Sequence, residues 1–344
     1  LVFVTGCHRS GTSLLASLLG DVLGQRRGDD LPPGPDNPRG FFESRLLTEF
    51  NDELLHALGG DWSLPPLLPP SWSDPPLLDL ISGARDRFAA YGEQGPWLDK
   101  DPRLCITLPA IQHLLLRRVP VVVALRNPLE VACSLQLRNG FALERGLALW
   151  FIYNHHLAAT LQPADLLISQ AELIAAPTNG QLASQLLAAL GGFLEGHGHQ
   201  PPTAQAWQQM LANRVDPGLN RAVAALPASP AMASLHPRLV ELVEATYQQA
   251  LCGIRGHRSA FSSLPLEVLQ LCAKHQLCAP GASLQQRLSQ LETQCEQLTT
   301  QCELDQETLR AIRGSSSWQI TAPLRWLSAL LRRLLDRRLL DRRR

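Results

Sequence analysis

Eight residues near the start of the chain, Gly6-Cys7-His8-Arg9-Ser10-Gly11-Thr12-Ser13, have the composition of an anion cradle. They follow a buried-strand pattern over Leu1 to Thr5 and run into an apolar helical stretch through Leu19. Gly6 and Gly11 let the backbone curl so that successive N–H groups point inward, and the following helix adds its positive N-terminal end. Arg9 adds a full charge and a forked donor. Loops that hold nucleoside triphosphates with Mg²⁺ carry a Lys where this chain has Thr12. That Lys reaches the β- and γ-phosphates while the next hydroxyl holds the metal, so its absence argues against ordinary kinase chemistry. A different anion, with cations supplied by Arg9 and Lys100, fits better. The plainer alternative is a glycine turn that binds nothing.

Two further cations sit at the ends of strand-like runs. Val121-Val122-Val123-Ala124-Leu125-Arg126 leads through Asn127-Pro128 into a helical stretch containing Ser134. Pro at a helix start and a Ser two turns in would bring Arg126 and Ser134 to one anion, because the helix folds back beside the strand. Read more plainly, Arg126 caps a sheet edge beside an exposed Ser. In Trp97-Leu98-Asp99-Lys100-Asp101-Pro102-Arg103 a short strand delivers Lys100 just before Pro stops it. An ion pair of Lys100 with Asp99 or Asp101 is the simpler account. Asp36-Asn37-Pro38-Arg39-Gly40-Phe41-Phe42-Glu43-Ser44 is a polar loop ending in aromatics and an acid, ahead of a helical stretch to about Leu58. An ordinary role for Glu43 is that of a first-turn acid favoured by the helix dipole.

The elements that must position these groups alternate between strand-like and helix-like segments over residues 1–255. That pattern predicts an α/β fold, a P-loop-like parallel sheet flanked by helices. The expected strands are Leu1 to Thr5, Trp97 to Lys100, Val119 to Leu125 and Leu166 to Ser169. The Pro-dense stretch Leu64 to Pro76 reads as an irregular loop, over the surface or across an acceptor cleft. Residues 256–282 read as a linker or helical connection. Over 283–313, Leu288, Leu291, Cys295, Leu298, Cys302, Leu309 and Ile312 step by threes and fours as in a short coiled coil, expected to self-associate. Residues 314–344 form a basic amphipathic tail suited to a membrane surface or a partner. The helical, coiled-coil extension thus follows the catalytic part.

With 344 residues and 45% hydrophobic content, the chain can bury a full core. Its 31 basic and 31 acidic residues cancel, so no global field favours nucleic acid. Eight cysteines lack C-x-x-C spacing, which predicts free thiols in a reducing compartment and no metal site. The opening Leu1-Val2-Phe3-Val4 is too short for a signal segment and lacks an initiating Met, so it reads as trimmed, with an earlier targeting segment left open. No run reaches the apolar length of a spanning helix. The expected location is cytoplasmic, with membrane contact through the tail.

Residues 1–255 resemble the sulfotransferases that use 3′-phosphoadenosine 5′-phosphosulfate (PAPS), the bacterial members above all. The resemblance rests on Gly6 to Ser13, on Arg126 with Ser134, and on Lys100-Asp101-Pro102. It implies that Gly6, His8, Arg9, Ser10, Gly11, Thr12 and Ser13 hold the 5′-phosphosulfate and that Arg126 and Ser134 hold the 3′-phosphate. It places Lys100 near the bridging oxygen and gives Arg9 and Lys100 catalytic roles. Glu43 is the nearest counterpart of that family's catalytic Glu, with Asp36, Asp101 and His8 as alternatives for the base. PAP would be the product and no metal would be needed. His155 and His156, beside Trp150, Phe151 and Tyr153, read as packing residues. Arg214 and Arg221 are expected to close over the nucleotide. Ser315 to Arg325 resembles a C-terminal element of bacterial glycosyltransferases of surface-polysaccharide synthesis, which implies a glycan acceptor. The rival expectations are a nucleotide-dependent kinase and a non-catalytic nucleotide-binding coiled-coil scaffold.

Overall fold

The computed structural model describes residues 1–23, 25–26, 31–32, 34, 40–67, 70–92, 97–216, 235–254, 268, 272, 277–279 and 301. The chain divides into two compact units, Leu1–Ala282 and Ser283–Arg344. Of the second unit only Gln301 is described, so the expected coiled coil and basic tail lie outside the described residues, as do Asp36 and Arg221.

The first unit is built on a parallel sheet of five strands: β1 (Val2–Thr5), β2 (Gln25–Arg26), β3 (Trp97–Lys100), β4 (Val121–Leu125) and β5 (Leu166–Ser169), in the spatial order β2-β3-β1-β4-β5. In register, Val4 lies opposite Lys100 on one side, and Phe3, Val4 and Thr5 lie opposite Val121, Val122 and Val123 on the other. Every residue of β1 and β4 is buried, as expected of central strands covered on both faces. Side chains alternate between the faces. Val2, Val4, Val122 and Ala124 pack under α1 (Thr12–Leu23), α7 (Gly180–Gly196) and α8 (Ala204–Arg214), through Leu15, Leu19, Leu190, Leu194 and Trp207. Phe3, Val121 and Val123 face α2 (Arg45–Ala57), α4 (Leu104–Leu114), α5 (Pro128–Asn139) and α6 (Leu143–Ala158), through Phe50, Leu108, Val131 and Trp150.

Two expected boundaries move, and proline explains both. The fourth strand begins at Val121 rather than Val119. Pro120 accepts a hydrogen bond from Phe3 N at 2.9 Å but has no N–H to give back to the ladder. The Pro-dense stretch, expected to stay irregular through Pro76, instead starts α3 (Pro75–Gly83) with prolines in its first turn. There the missing N–H costs nothing, because the first helical N–H groups have no intrahelical acceptor. Residues 256–282, read as a connection, contribute Val268 and Cys272 to the core with no exposed surface. A last helix, Pro237–Ile254, brings Leu239 and Val243 into the same core. Cys7, Cys105, Cys133, Cys272 and Cys278 are buried free thiols. Among the described residues no helix is long and apolar enough to cross a membrane.

Candidate active site

The loop after β1 is shaped by three left-handed residues. Gly6 has φ 142°, Arg9 67° and Gly11 87°. A Cβ on Gly6 would run into the Ala124 carbonyl oxygen of β4, and one on Gly11 would meet the Gln170 side chain at 2.9 Å. Only glycine fits the first position. Ser10 N closes the turn on Cys7 O at 3.1 Å, and α1 then starts with Leu15 N on Gly11 O at 3.1 Å. Alternation between left- and right-handed residues turns N–H groups into a shared concavity, and a helix N-terminus stands behind it. Inside this turn Ser10 Oγ is buried with no hydrogen-bond partner among the described residues. A buried hydroxyl seldom stays unpaired, and an oxyanion held in the loop would satisfy it.

Arg126 and Ser134 stand beside the same loop. Asn127 caps α5 by accepting from Leu129 N at 2.9 Å and Glu130 N at 3.3 Å, so the helix starts directly after Arg126 and turns Ser134 back toward β1. The link between the two runs through Arg9. Arg9 Nε donates to Ser134 Oγ at 2.9 Å, and Arg126 Nη1 donates to Arg9 O at 2.9 Å. Arg126 Nε also donates to Glu130 Oε2 at 2.9 Å, one turn into the helix. Both side chains are largely buried, so Arg126 is not a solvated sheet-edge cap and Ser134 is not an exposed surface residue.

On the other flank β3 presents Lys100, 1% exposed, in an ion pair with Glu43. The expected alternatives, Asp99 and Asp101, are engaged elsewhere. Asp101 accepts from Arg103 N at 2.9 Å, Arg103 Nη1 at 3.1 Å and Asn51 Nδ2 at 2.9 Å. It is fully buried and held by these donors, which disfavours it as a base. Asp99 accepts from Ser44, Tyr91 and the Lys100 backbone. Glu43 is not a first-turn helix acid: Ser44 is the N-cap, its Oγ accepting from Leu47 N at 3.3 Å, and Glu43 precedes it. Burial pushes the Glu43 carboxyl above the usual carboxylate range, against the pull of the Lys100 ammonium.

His8 lies between these flanks. Its ring is 4.7 Å from that of Trp62 and 5.3 Å from that of Tyr153. Nε2 is buried without a hydrogen-bond partner among the described residues. Burial, followed by the charges of Arg103, Lys100, Arg138 and Arg9, holds the imidazole well below its usual range and favours neutral His8. Trp62 belongs to a segment that α6 fastens in place. Tyr153 Oη donates to Trp62 O at 2.7 Å, Arg145 Nη2 to Ser63 O at 3.0 Å, and His156 Nε2 lies 2.9 Å from Pro66 O. His155 stacks on Phe151 at 6.0 Å. Sequence reasoning treated His156 as packing only and missed this fastening, for which no spacing signal exists.

One expected site residue lies elsewhere. Arg214 donates to both carboxylate oxygens of Asp21 at 2.8 and 2.7 Å. Asp21 is in the last turn of α1, roughly 13 Å along the helix from the end that faces the loop. Arg214 therefore does not close over a ligand held there.

No family model matches the chain, and no curated protein matches it by sequence. Solved structures that resemble it include two sulfotransferase domains. One is the sulfotransferase domain from the Synechococcus PCC 7002 olefin synthase, 17% identical with a TM-score of 0.41, covering 73% of this chain and 94% of that one. The other is the sulfotransferase domain from the curacin biosynthetic pathway, 15% identical with a TM-score of 0.36, covering 72% and 97%. With identities and scores this low, the functional reading stands on the residues of the site.

Proposed function

We propose that this chain transfers a sulfuryl group from PAPS to an acceptor hydroxyl or amine. The observation that carries the reading is the single hydrogen-bonded cluster of Arg9, Arg126 and Ser134 around a loop whose buried Ser10 Oγ has no partner among the described residues. A nucleotide with phosphate at both the 5′ and 3′ positions needs cationic contacts at two nearby points, and this cluster supplies them. In this reading the loop and Arg9 take the 5′-phosphosulfate, while Arg126 and Ser134 take the 3′-phosphate. The Arg9 to Ser134 bond opens as they do so.

The transfer forms a bond from the acceptor oxygen or nitrogen to sulfur and breaks the bond from sulfur to the bridging oxygen, and PAP departs. Negative charge grows on that oxygen, where a preorganised ammonium stabilises the transition state more than the ground state. Lys100 has that role. Its move from Glu43 toward the bridging oxygen leaves Glu43, already pushed toward higher proton affinity by burial, to take the acceptor proton. The acceptor is proposed as a glycan, coiled-coil self-association and membrane contact are proposed for the C-terminal part, and no metal is assigned a role.

Calorimetry tests the donor. PAP should bind in EDTA, and ATP with Mg²⁺ should not; the reverse pattern would replace this reading with a kinase. Radiolabelled PAPS offered to polysaccharide and lysate fractions tests transfer, and Arg9→Ala should abolish labelling. Binding of PAP without transfer to any acceptor or to water would leave a non-catalytic scaffold.

A further inference from the structure

We propose that Asp99 and Ser44 form a latch that holds Glu43 on Lys100, which makes Asp99 a positioning residue. Its link to catalysis rests on the function proposed above. The residues are neighbours on both sides: Glu43 precedes Ser44, and Asp99 precedes Lys100. One oxygen bridges the two backbones, because Asp99 Oδ1 accepts from Ser44 N at 3.2 Å and from Lys100 N at 2.8 Å. The other oxygen takes Ser44 Oγ at 2.6 Å and the Tyr91 hydroxyl. Ser44 Oγ also accepts from Leu47 N, so the same hydroxyl starts α2 and ties its start to β3. The stretch leading to Glu43 is a loop: Leu31 N holds its end by donating to Glu43 O at 2.7 Å, and the tie through Ser44 to Asp99 joins that end to β3, which carries the buried ammonium.

The latch is not explained by stability. Asp99 is 3% exposed, and burial pushes its carboxyl up to about 6 despite its four donors. A charge held this way at neutral pH costs the folded state free energy rather than supplying it. What the carboxylate provides is two acceptor oxygens aimed at two segments far apart in sequence, Ser44 and Asp99 being 55 positions apart.

The test uses the full chain, labelled PAPS with water as acceptor, and acetic anhydride as a probe of Lys100 read by mass spectrometry. Asp99→Ala should lower kcat by about tenfold or more, with the KM for PAPS within about twofold, because it disturbs the transition-state groups and leaves donor binding alone. Lys100 should be acetylated several-fold faster in that variant. Asp99→Asn keeps an amide oxygen for both N–H groups and should rescue turnover to within about threefold of the unaltered chain. Should Asp99→Ala fail to fold, Ser44→Ala decides, with slower turnover and faster acetylation expected. Unaltered turnover and acetylation in the folded variant, or an Asn variant as slow as the Ala variant, overturns the latch. An unaltered chain that never turns over PAPS removes the proposed function instead, and acetylation of Lys100 still decides whether the latch exists.

Discussion

Lys100 and Glu43 sit together with almost no solvent, so each is the other's main compensation. Removing one partner strands the other as a buried charge, which typically costs about 3–5 kcal/mol. Glu43→Ala is therefore expected to lower stability in urea by that order, and Glu43→Gln by less, because the amide oxygen still accepts from the ammonium. Lys100→Ala should cut turnover of PAPS by about a hundredfold while calorimetric PAP affinity stays close to its original value. Gly6→Ala acts on another link. It forces a Cβ into the Ala124 carbonyl and a side chain into φ 142°, so PAP affinity should fall and stability should drop by at least about 2 kcal/mol. A thermal melt and a titration check both. At this scale the loop was legible, because a glycine-bounded turn between a strand and a helix has a short, local signature. The pairing of Lys100 with Glu43 was not, since the partners that sequence offered as the plainer alternative were its neighbours Asp99 and Asp101. Nothing local says that Asp99 turns to Ser44 and Asp101 to Arg103 and Asn51.

Between elements, the contact that decides the site's shape is α5 against α6. Gly146 lies so close to Ala132 that an added Cβ would fall 2.6 Å from its Cα and 2.8 Å from its Cβ. α5 carries Ser134, and α6 carries Tyr153, Arg145 and His156, which pin residues 62–66 beside His8. Gly146→Val should push these helices apart, at about 1–3 kcal/mol in stability and with weaker PAP binding through a displaced Ser134. Denaturant unfolding and calorimetry read the two effects separately; lost stability with unchanged PAP affinity would show that Ser134 is placed by β4 alone. The strands were legible because β1, β4 and β5 are short apolar runs, and β3, Trp97-Leu98-Asp99-Lys100, lies just ahead of the stop at Pro102. β2 was not, because Gln25–Arg26 is two residues long and polar, and it is strand only by pairing with Trp97 and Leu98. Arg214 was misassigned for a related reason: charge alone does not say which end of α1 an arginine meets.

Over the whole molecule, two buried groups pull the acid stability curve in opposite directions. Asp99 goes from 3.8 unfolded to about 6 folded, so its contribution falls as pH rises through that window, by about 3 kcal/mol in all. His156, lowered from 6.5 to about 4 chiefly by burial, loses a similar contribution as pH falls through its own window. The two offset each other between pH 4 and 6.5. Asp99→Asn should remove one side, so that this variant is more stable than the original chain by about 3 kcal/mol at pH 8 and loses that advantage on acidification to pH 4. Urea titrations at three pH values would show it, and parallel curves for the two proteins would contradict the assignment. The close approach of Gly6 to Ala124 has a consequence at the same scale. With no room for an atom between them, the turn that ends one strand and the arginine that follows the next behave as two jaws of a fixed gauge. Retuning the chain for a ligand with differently spaced charges would require re-registering central strands, a change that swapping surface groups does not reach.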